Sequence, residues 1–327
     1  MVQLDMVTLV AQTINADTTT LMPLQGGLRA EIGADGTFWS IRRRRLGGRR
    51  RSSSIGPAPL SSNGQAGGVK LDGKVAAITG GGRGIGREIA LRFVAEGAAV
   101  ALAAPEADEI RTAAASIERA GGRALAVVTD IREPDQVASF AETVTAELGV
   151  PDVLVNNSGI AGPNSVLWTL DPADWDETIR INLTGTFLCC RAFLPAMVQR
   201  GQGSIIVIGS TTGKRPEAGR SPYAASKLGL VGLVRTLAWE LGEHGIRVNL
   251  ISPGSVEGPR IEAVMMGRAQ AQGKTVEEIR TDVAASSPLG RLTSPGDIAS
   301  AAVFLASGDA ASITGEDLNV TAGRAMY

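Results

Sequence analysis

From Leu71 onward, short runs of β-branched and apolar residues alternate with longer stretches whose apolar positions recur every three or four residues. The short runs predict strands at Val75–Thr79, Ala98–Ala103, Ala124–Val128, Val153–Asn156, Ser204–Ile208, Arg247–Ile251 and Asp317–Val320. The longer stretches predict helices over Gly84–Glu96, Glu106–Ala120, Glu133–Leu148, Trp175–Gln199, Pro222–Glu243 and Pro295–Ala306. In the first helix Ile85, Ile89, Arg92 and Phe93 fall on one face, and Gly97 supplies the stop. Such alternation specifies an α/β fold, a doubly wound parallel sheet (Rossmann-like) with helices on both faces. Its ligands are expected beyond the carboxyl ends of the strands.

Before Lys70 the period is lost. The runs Arg42 to Arg45 and Arg49 to Arg51 are followed by Ser52 to Gly68, rich in Ser, Gly and Pro. With little regular apolar surface to bury, residues 1–69 read as a low-order, flexible basic N-terminal extension or linker, mobile at least from about residue 42 to 68. The arginines serve as solvated linker charge or as a contact for nucleic acid or an anionic surface. Residues 70–327 then form a single domain.

The 327 residues are 44% apolar, enough for a large core. A formal net charge of -1 creates no general pull toward nucleic acid or acidic lipid, so any charged partner must be recognised locally. The single histidine, His244, precedes Gly245 at an expected helix end, where it compensates the helix dipole. Cys189 and Cys190 are adjacent in an apolar run, which suits buried, reduced packing residues better than a reactive thiol. One histidine and no thiol cluster predict no metal site. No apolar run approaches the roughly 20 residues of a membrane span and no secretory signal opens the chain, so a cytoplasmic address is expected.

Chemistry concentrates at strand ends. The strand ending at Thr79 is followed at once by Gly80-Gly81-Gly82-Arg83-Gly84-Ile85-Gly86, which opens a helix. Glycines there let backbone approach a pyrophosphate, and the helix N-terminus directs free N–H groups at it. Tyr223 and Lys227 lie four apart on a predicted helix and so share a face. A phenol of ordinary pKa near 10 is a poor acid or base at neutral pH, and a neighbouring ammonium corrects this by favouring the phenolate. Ser210 follows the strand Ser204–Ile208, where its hydroxyl can donate to a substrate oxygen or cap a loop. Asn182 is a polar residue on an otherwise apolar helix and needs partners.

Together, Thr79-Gly-x-x-x-Gly84-x-Gly86, Asp130, Asn156-Asn157-Ser158-Gly159, Tyr223-x-x-x-Lys227 and Pro253-Gly254 resemble the short-chain dehydrogenase/reductase family in order and separation, from about Lys70 to the C-terminus. The resemblance implies an NAD(P)-dependent oxidoreductase that interconverts a secondary alcohol and a ketone on a small molecule by hydride transfer. Ser210, Tyr223 and Lys227 match the family's catalytic residues, and Asn182 its holder of a water that relays protons to Lys227. The alternative reading of Asn182 is simple bonding to nearby backbone. Gly80, Arg83, Gly84, Ile85, Gly86, Asp130, Ile131, Asn157, Gly159, Pro253, Gly254 and Val256, with Tyr223 and Lys227, fall on the cofactor-binding positions. Asp130 matches the residue that holds the adenine amino group. Ser158 stands where Ala is usual, and Gly258 stands where the family often places a Thr that holds the nicotinamide carboxamide.

The strand before Ala104-Pro105 ends with neither an acid nor a base for the ribose 2′ position. Arg83 could reach a 2′-phosphate and Glu106 could oppose one, which gives a slight lean to NADP. Lys214, Arg215 and Arg220 make the loop between Ser210 and Tyr223 basic, attracting an anionic substrate or merely carrying solvated charge. Residues 259–288 hold the family's place for a substrate lid, with Ile261, Val264, Met265 and Met266 as an adaptable wall or a plain amphipathic helix. Surplus apolar surface on the helices Trp175–Gln199 and Pro222–Glu243 points to a homo-oligomer, by resemblance a tetramer. A nucleotide-binding regulator of the same fold, or epimerase or dehydratase chemistry on the same scaffold, are the alternatives.

Overall fold

The computed structural model describes residues 69–326 in full, and the backbone of three strands ahead of them. The chain divides into two units, residues 1–65 and 66–327. In the first, β1 (Thr20–Leu24), β2 (Leu28–Ile32) and β3 (Phe38–Arg43) form an antiparallel meander in the order β1-β2-β3. The sequence reading placed no element here, because a lone three-stranded ribbon carries only short runs without a second element to set a longer period. Arg42 and Arg43 close β3, whereas residues 44–68 of the expected mobile stretch lie outside the described residues.

The second unit holds β4 (Val75–Thr79), β5 (Ala99–Ala104), β6 (Ala124–Val128), β7 (Val153–Asn156), β8 (Gly203–Ile208), β9 (Ile246–Pro253) and β10 (Asp317–Val320). All neighbours are parallel, in the order β10-β9-β8-β7-β4-β5-β6. The chain runs outward from β4 to β6 and then returns to β7 on the other side, so the switch point lies between β4 and β7, where a crevice for a nucleotide opens. The expected doubly wound sheet is present.

Alternation along each strand feeds two cores. Ile78, Leu102 and Ile206 pack with Ile89, Phe93, Ile110, Ile117 and Ile298 beneath α1 (Gly84–Ala95), α2 (Ala107–Arg119) and α10 (Pro295–Ala306). Ala77, Ile205 and Val207 turn the other way. They pack with Phe140, Phe193, Met197, Leu230 and Val234 from α3 (Pro134–Glu147), α5 (Gly185–Arg200) and α7 (Ser221–Leu241). Phe140 and Phe193 meet edge to face with centroids 5.3 Å apart. Burial pushes both cysteine thiols up, Cys190 to about 12, which leaves them as inert packing groups.

The predicted helix Trp175–Gln199 is instead three pieces. Asp171 caps α4 (Pro172–Ile179) by accepting from the Ala173 N–H at 2.9 Å, a π-helical turn follows over Arg180–Thr184, and α5 completes the run. Its span, Pro172–Arg200, is the one helical stretch among the described residues long and apolar enough to cross a membrane, yet Cys190, Phe193 and Met197 on it pack into the sheet core.

Candidate active site

The glycine loop joins β4 to α1, and no side chain caps that helix. Thr79 organises the neighbouring strand end: its Oγ1 accepts from the backbone N–H groups of Asn157 and Ser158, both at 3.0 Å. Asn157 Nδ2 in turn donates to the carbonyls of Thr79 and Gly80 at 3.0 and 3.1 Å. A Cβ on Gly86 would meet Gly80 O and that same Asn157 amide, so the loop requires a hydrogen there. An uncapped helix N-terminus beside side-chain-free backbone suits a pyrophosphate, and the residues present fit a dinucleotide.

Further along the carboxyl edge, Asp130 does not stand free. Arg132 donates to both of its carboxylate oxygens and reaches on to Glu177 at 2.6 Å, and the Arg132 hydrogen bonds hold the Asp130 carboxyl below its usual range despite partial burial. Ile131 is buried beside it. Arg83 lies outward in a loose pair with Glu109 at 3.4 Å. On the far side Gly254 donates to Val320 O at 3.1 Å, closing Pro253-Gly254 against β10, and Val256 bridges Thr293. Gly258 has φ of 137°, a conformation a Thr would adopt only under strain, which accounts for the departure at that position.

The groups proposed for chemistry converge where β8 ends. Ser210 begins a short turn, α6 (Thr211–Lys214), with its Oγ accepting from the Thr212 N–H at 3.1 Å. Tyr223 lies in the first turn of α7, with Lys227 one turn on and its Nζ 5.8 Å from the Tyr223 ring centroid. Lys227 is 5% exposed and donates to Ile208 O at 2.9 Å. Burial pushes the phenol of Tyr223 up, but the Lys227 ammonium, a hydrogen bond with Ser210 and the cations of Arg260 and Arg220 outweigh it. The net position is below the ordinary value. Burial lowers Lys227, while Tyr223 opposes that shift.

Asn182 sits in the π-helical turn, fully buried. Its Oδ1 accepts from Ile160 N–H at 2.8 Å, and its Nδ2 donates to Ile160 O and Ser226 Oγ, each at 3.1 Å. Bonds of this kind are what the backbone-bonding reading of Asn182 expects, and they place the residue beside Gly159 and Lys227 without deciding its part in a proton relay. A Cβ on Gly159 would approach Asn182 Oδ1 at 3.0 Å and Lys227 Nζ at 3.4 Å, so Gly159 gives those two groups their room.

Two charged residues need correction. Lys214, expected as a loop cation open to an anionic substrate or to solvent, has its Nζ 2.9 Å from Asp317 Oδ2 and 2.5 Å from Asn319 Oδ1. Edge strand β10 supplies a buried acid that sequence spacing cannot reveal. Arg260 went unnoticed, although Pro259 is a signal for a helix start that would place it in a first turn. It sits near the start of α8 (Pro259–Gln272) and donates from Nη2 to Gly159 O at 3.0 Å. Within the expected lid, α8 packs on α9 (Val276–Ala285) through Met265, Ala269, Ile279 and Val283, with Ile261 alongside. Val264 and Met266 stay exposed. Met265 and Ile261 thus pack as an amphipathic helix would, while Val264 and Met266 face outward.

Comparisons with known proteins agree with this fold. A family profile described as enoyl-(acyl carrier protein) reductase matches residues 80–325. The 3-oxoacyl-(acyl-carrier-protein) reductase of Salmonella typhimurium is 36% identical over 258 residues, covering 79% of this chain and all of that protein. Among solved structures, a variant actinorhodin polyketide ketoreductase with NADPH superposes with a TM-score of 0.75 at 35% identity, over 78% of this chain and 98% of that one. A 7α-hydroxysteroid dehydrogenase complexed with NADH and a 7-oxo bile acid conjugate gives 0.72 at 34%, over 78% and 95%.

Proposed function

The chain belongs to the short-chain dehydrogenase/reductase family and is an NAD(P)-dependent oxidoreductase acting on CH–OH and carbonyl groups; from that premise we propose that it interconverts a secondary alcohol and a ketone on a small molecule, with Tyr223 as acid and base. The observation that carries this reading is the meeting of Ser210, Tyr223 and Lys227 at the end of β8, with the phenol held below its ordinary pKa.

Nicotinamide, when bound, supplies or accepts the hydride. In reduction Ser210 orients the substrate oxygen and steadies the charge that develops on it, and the Tyr223 hydroxyl delivers the proton. Lys227, fixed by Ile208 O, keeps that hydroxyl acidic. Asn182 is a positioning residue: its amide holds the Gly159–Ile160 segment beside Lys227. In oxidation the Tyr223 oxygen takes the proton back.

Gly80, Arg83, Gly84, Ile85 and Gly86 would hold the pyrophosphate half, Asp130, Ile131, Asn157 and Gly159 the adenosine side and central strand, and Pro253, Gly254 and Val256 the nicotinamide side. We keep a lean to NADP, supported by Arg83, the one basic residue of the glycine loop, exposed and weakly paired. The reading includes a cytoplasmic address and a homotetramer. Phe187, Leu228 and Trp239, exposed on α5 and α7, supply apolar surface for subunit contact.

The test is a panel of ketones and secondary alcohols with NADH/NAD and NADPH/NADP, read by absorbance. Tyr223→Phe should lower kcat by about 10²- to 10⁴-fold while leaving cofactor affinity within a few-fold. Turnover that survives the substitution unchanged overturns the assignment.

A further inference from the structure

The immediate surroundings of Tyr223 hold more positive charge than the proposed proton chemistry uses. Beyond Lys227, the Arg220 guanidinium lies over the phenol ring, its carbon 4.8 Å from the centroid. Arg260 approaches from the start of α8 and spends one donor on Gly159 O, leaving the rest of its fork for another acceptor.

Among the described residues neither arginine is matched by an acid. Several arginines on α8, on α9 and in the C-terminal segment are paired: Arg268 and Arg324 share Glu217, Arg280 meets Glu262 and Glu277, and Arg291 meets Asp297. Glu217 lies in the same loop as Arg220 yet turns to α8 and the C-terminal segment instead. Among the described residues, no carboxylate lies within ion-pair distance of Arg220 or Arg260. Arg220 is half-buried and Arg260 exposed, so both can reach a bound anion beside the buried Lys227 ammonium. Planar guanidinium forks favour a carboxylate.

We propose that Arg220 and Arg260 form an anion-binding subsite over Tyr223, and that the substrate is an oxo acid or its hydroxy acid, whose carboxylate is held there while its carbonyl faces Ser210 and Tyr223. This rests on the oxidoreductase reading above and names the substrate class of the same site. It narrows the anionic-substrate expectation to Arg220 and adds Arg260: Lys214 is committed to Asp317, and Arg215 is exposed.

The experiment uses the full chain and pairs of probes that differ only in charge: the 2-, 3- and 4-oxo carboxylates of four or five carbons and their ethyl esters. Wild type should favour at least one acid over its ester by about tenfold or more in kcat/KM, as expected for charge-assisted hydrogen bonds. Arg220→Gln and Arg260→Gln should each bring that ratio toward one through the KM of the acid, and Arg220→Lys should retain part of it. Because the ratio is read, changes in Tyr223 acidity common to both probes cancel. A wild-type preference for every ester overturns the proposal. So does a ratio unmoved in both glutamine variants, including the case where Arg260→Gln weakens only the cofactor.

Calorimetry on the NADP⁺ complex separates the two layers of argument. Butanoate should bind and butanamide should not, and binding should vanish in the double glutamine variant. Esters reduced with butanoate unbound would sink the subsite and leave the oxidoreductase reading. Butanoate bound through both arginines, with no probe turned over, would uphold the subsite and count against that reading.

Discussion

Lys214 Nζ stands 2.9 Å from Asp317 Oδ2, with only 14% and 7% of the two side chains exposed. The pair links the last residue of α6 to the first residue of β10, and Ser210 caps the start of α6. The turn that presents the serine is therefore tied to the sheet edge through a buried ion pair.

Removing one member of such a pair strands the other charge away from water. Asp317→Asn is expected to destabilise the protein by about 3 kcal/mol in urea denaturation and to lower kcat/KM, because the Ser210 turn loses its tether. A change in unfolding free energy under about 0.5 kcal/mol would show that the tie carries no weight.

Why this pair escaped the sequence is instructive beside what did not. Most strands of the sheet were legible because buried parallel strands are continuous apolar runs, and β4, β6, β7 and the more polar edge strand β10 begin and end where the pattern says. Tyr223 and Lys227 were legible because helical spacing alone puts them on one face. Lys214 with Asp317, and Arg260 with Gly159, are contacts across 103 and 101 residues that only the sheet order and the seating of α8 bring about. The π-helical turn at Asn182 was hidden for a different reason: it inserts a wider turn without interrupting the apolar face that predicts the helix.

The electrostatics around Tyr223 fix the direction of a pH profile. Burial raises its pKa, while Lys227, Ser210, Arg260 and Arg220 lower it by more, so the phenolate forms below the ordinary value of about 10. Alcohol oxidation needs the phenolate, and kcat/KM should rise with pH and level off below that value. Carbonyl reduction needs the phenol, and kcat/KM should fall across the same range. Arg220→Gln removes a cation that favours the phenolate and should move both inflections to higher pH. An inflection that stays put in this variant, measured in both directions, would show that Arg220 does not act on the phenol.

Gly86 and Gly84 separate two ways in which a glycine can be required. At Gly84 a Cβ meets nothing within 4 Å, but φ is 54°, so Gly84→Ala should cost about 1 kcal/mol of stability through backbone strain. At Gly86 the obstacle is contact: the Cβ would be driven between Gly80 O and Asn157 Nδ2, which are hydrogen-bonded to each other at 3.1 Å. Relief must come from moving the loop that is proposed to cradle the pyrophosphate or from breaking that bond. Gly86→Ala should therefore weaken NADP(H) binding by about tenfold or more in calorimetry, a loss of about 1.4 kcal/mol or more. Gly84→Ala should weaken it less than Gly86→Ala does. Equal cofactor affinity in wild type and Gly86→Ala would mean that the nucleotide does not lie against this turn, and the pyrophosphate would have to be sought elsewhere along the β4–β7 crevice.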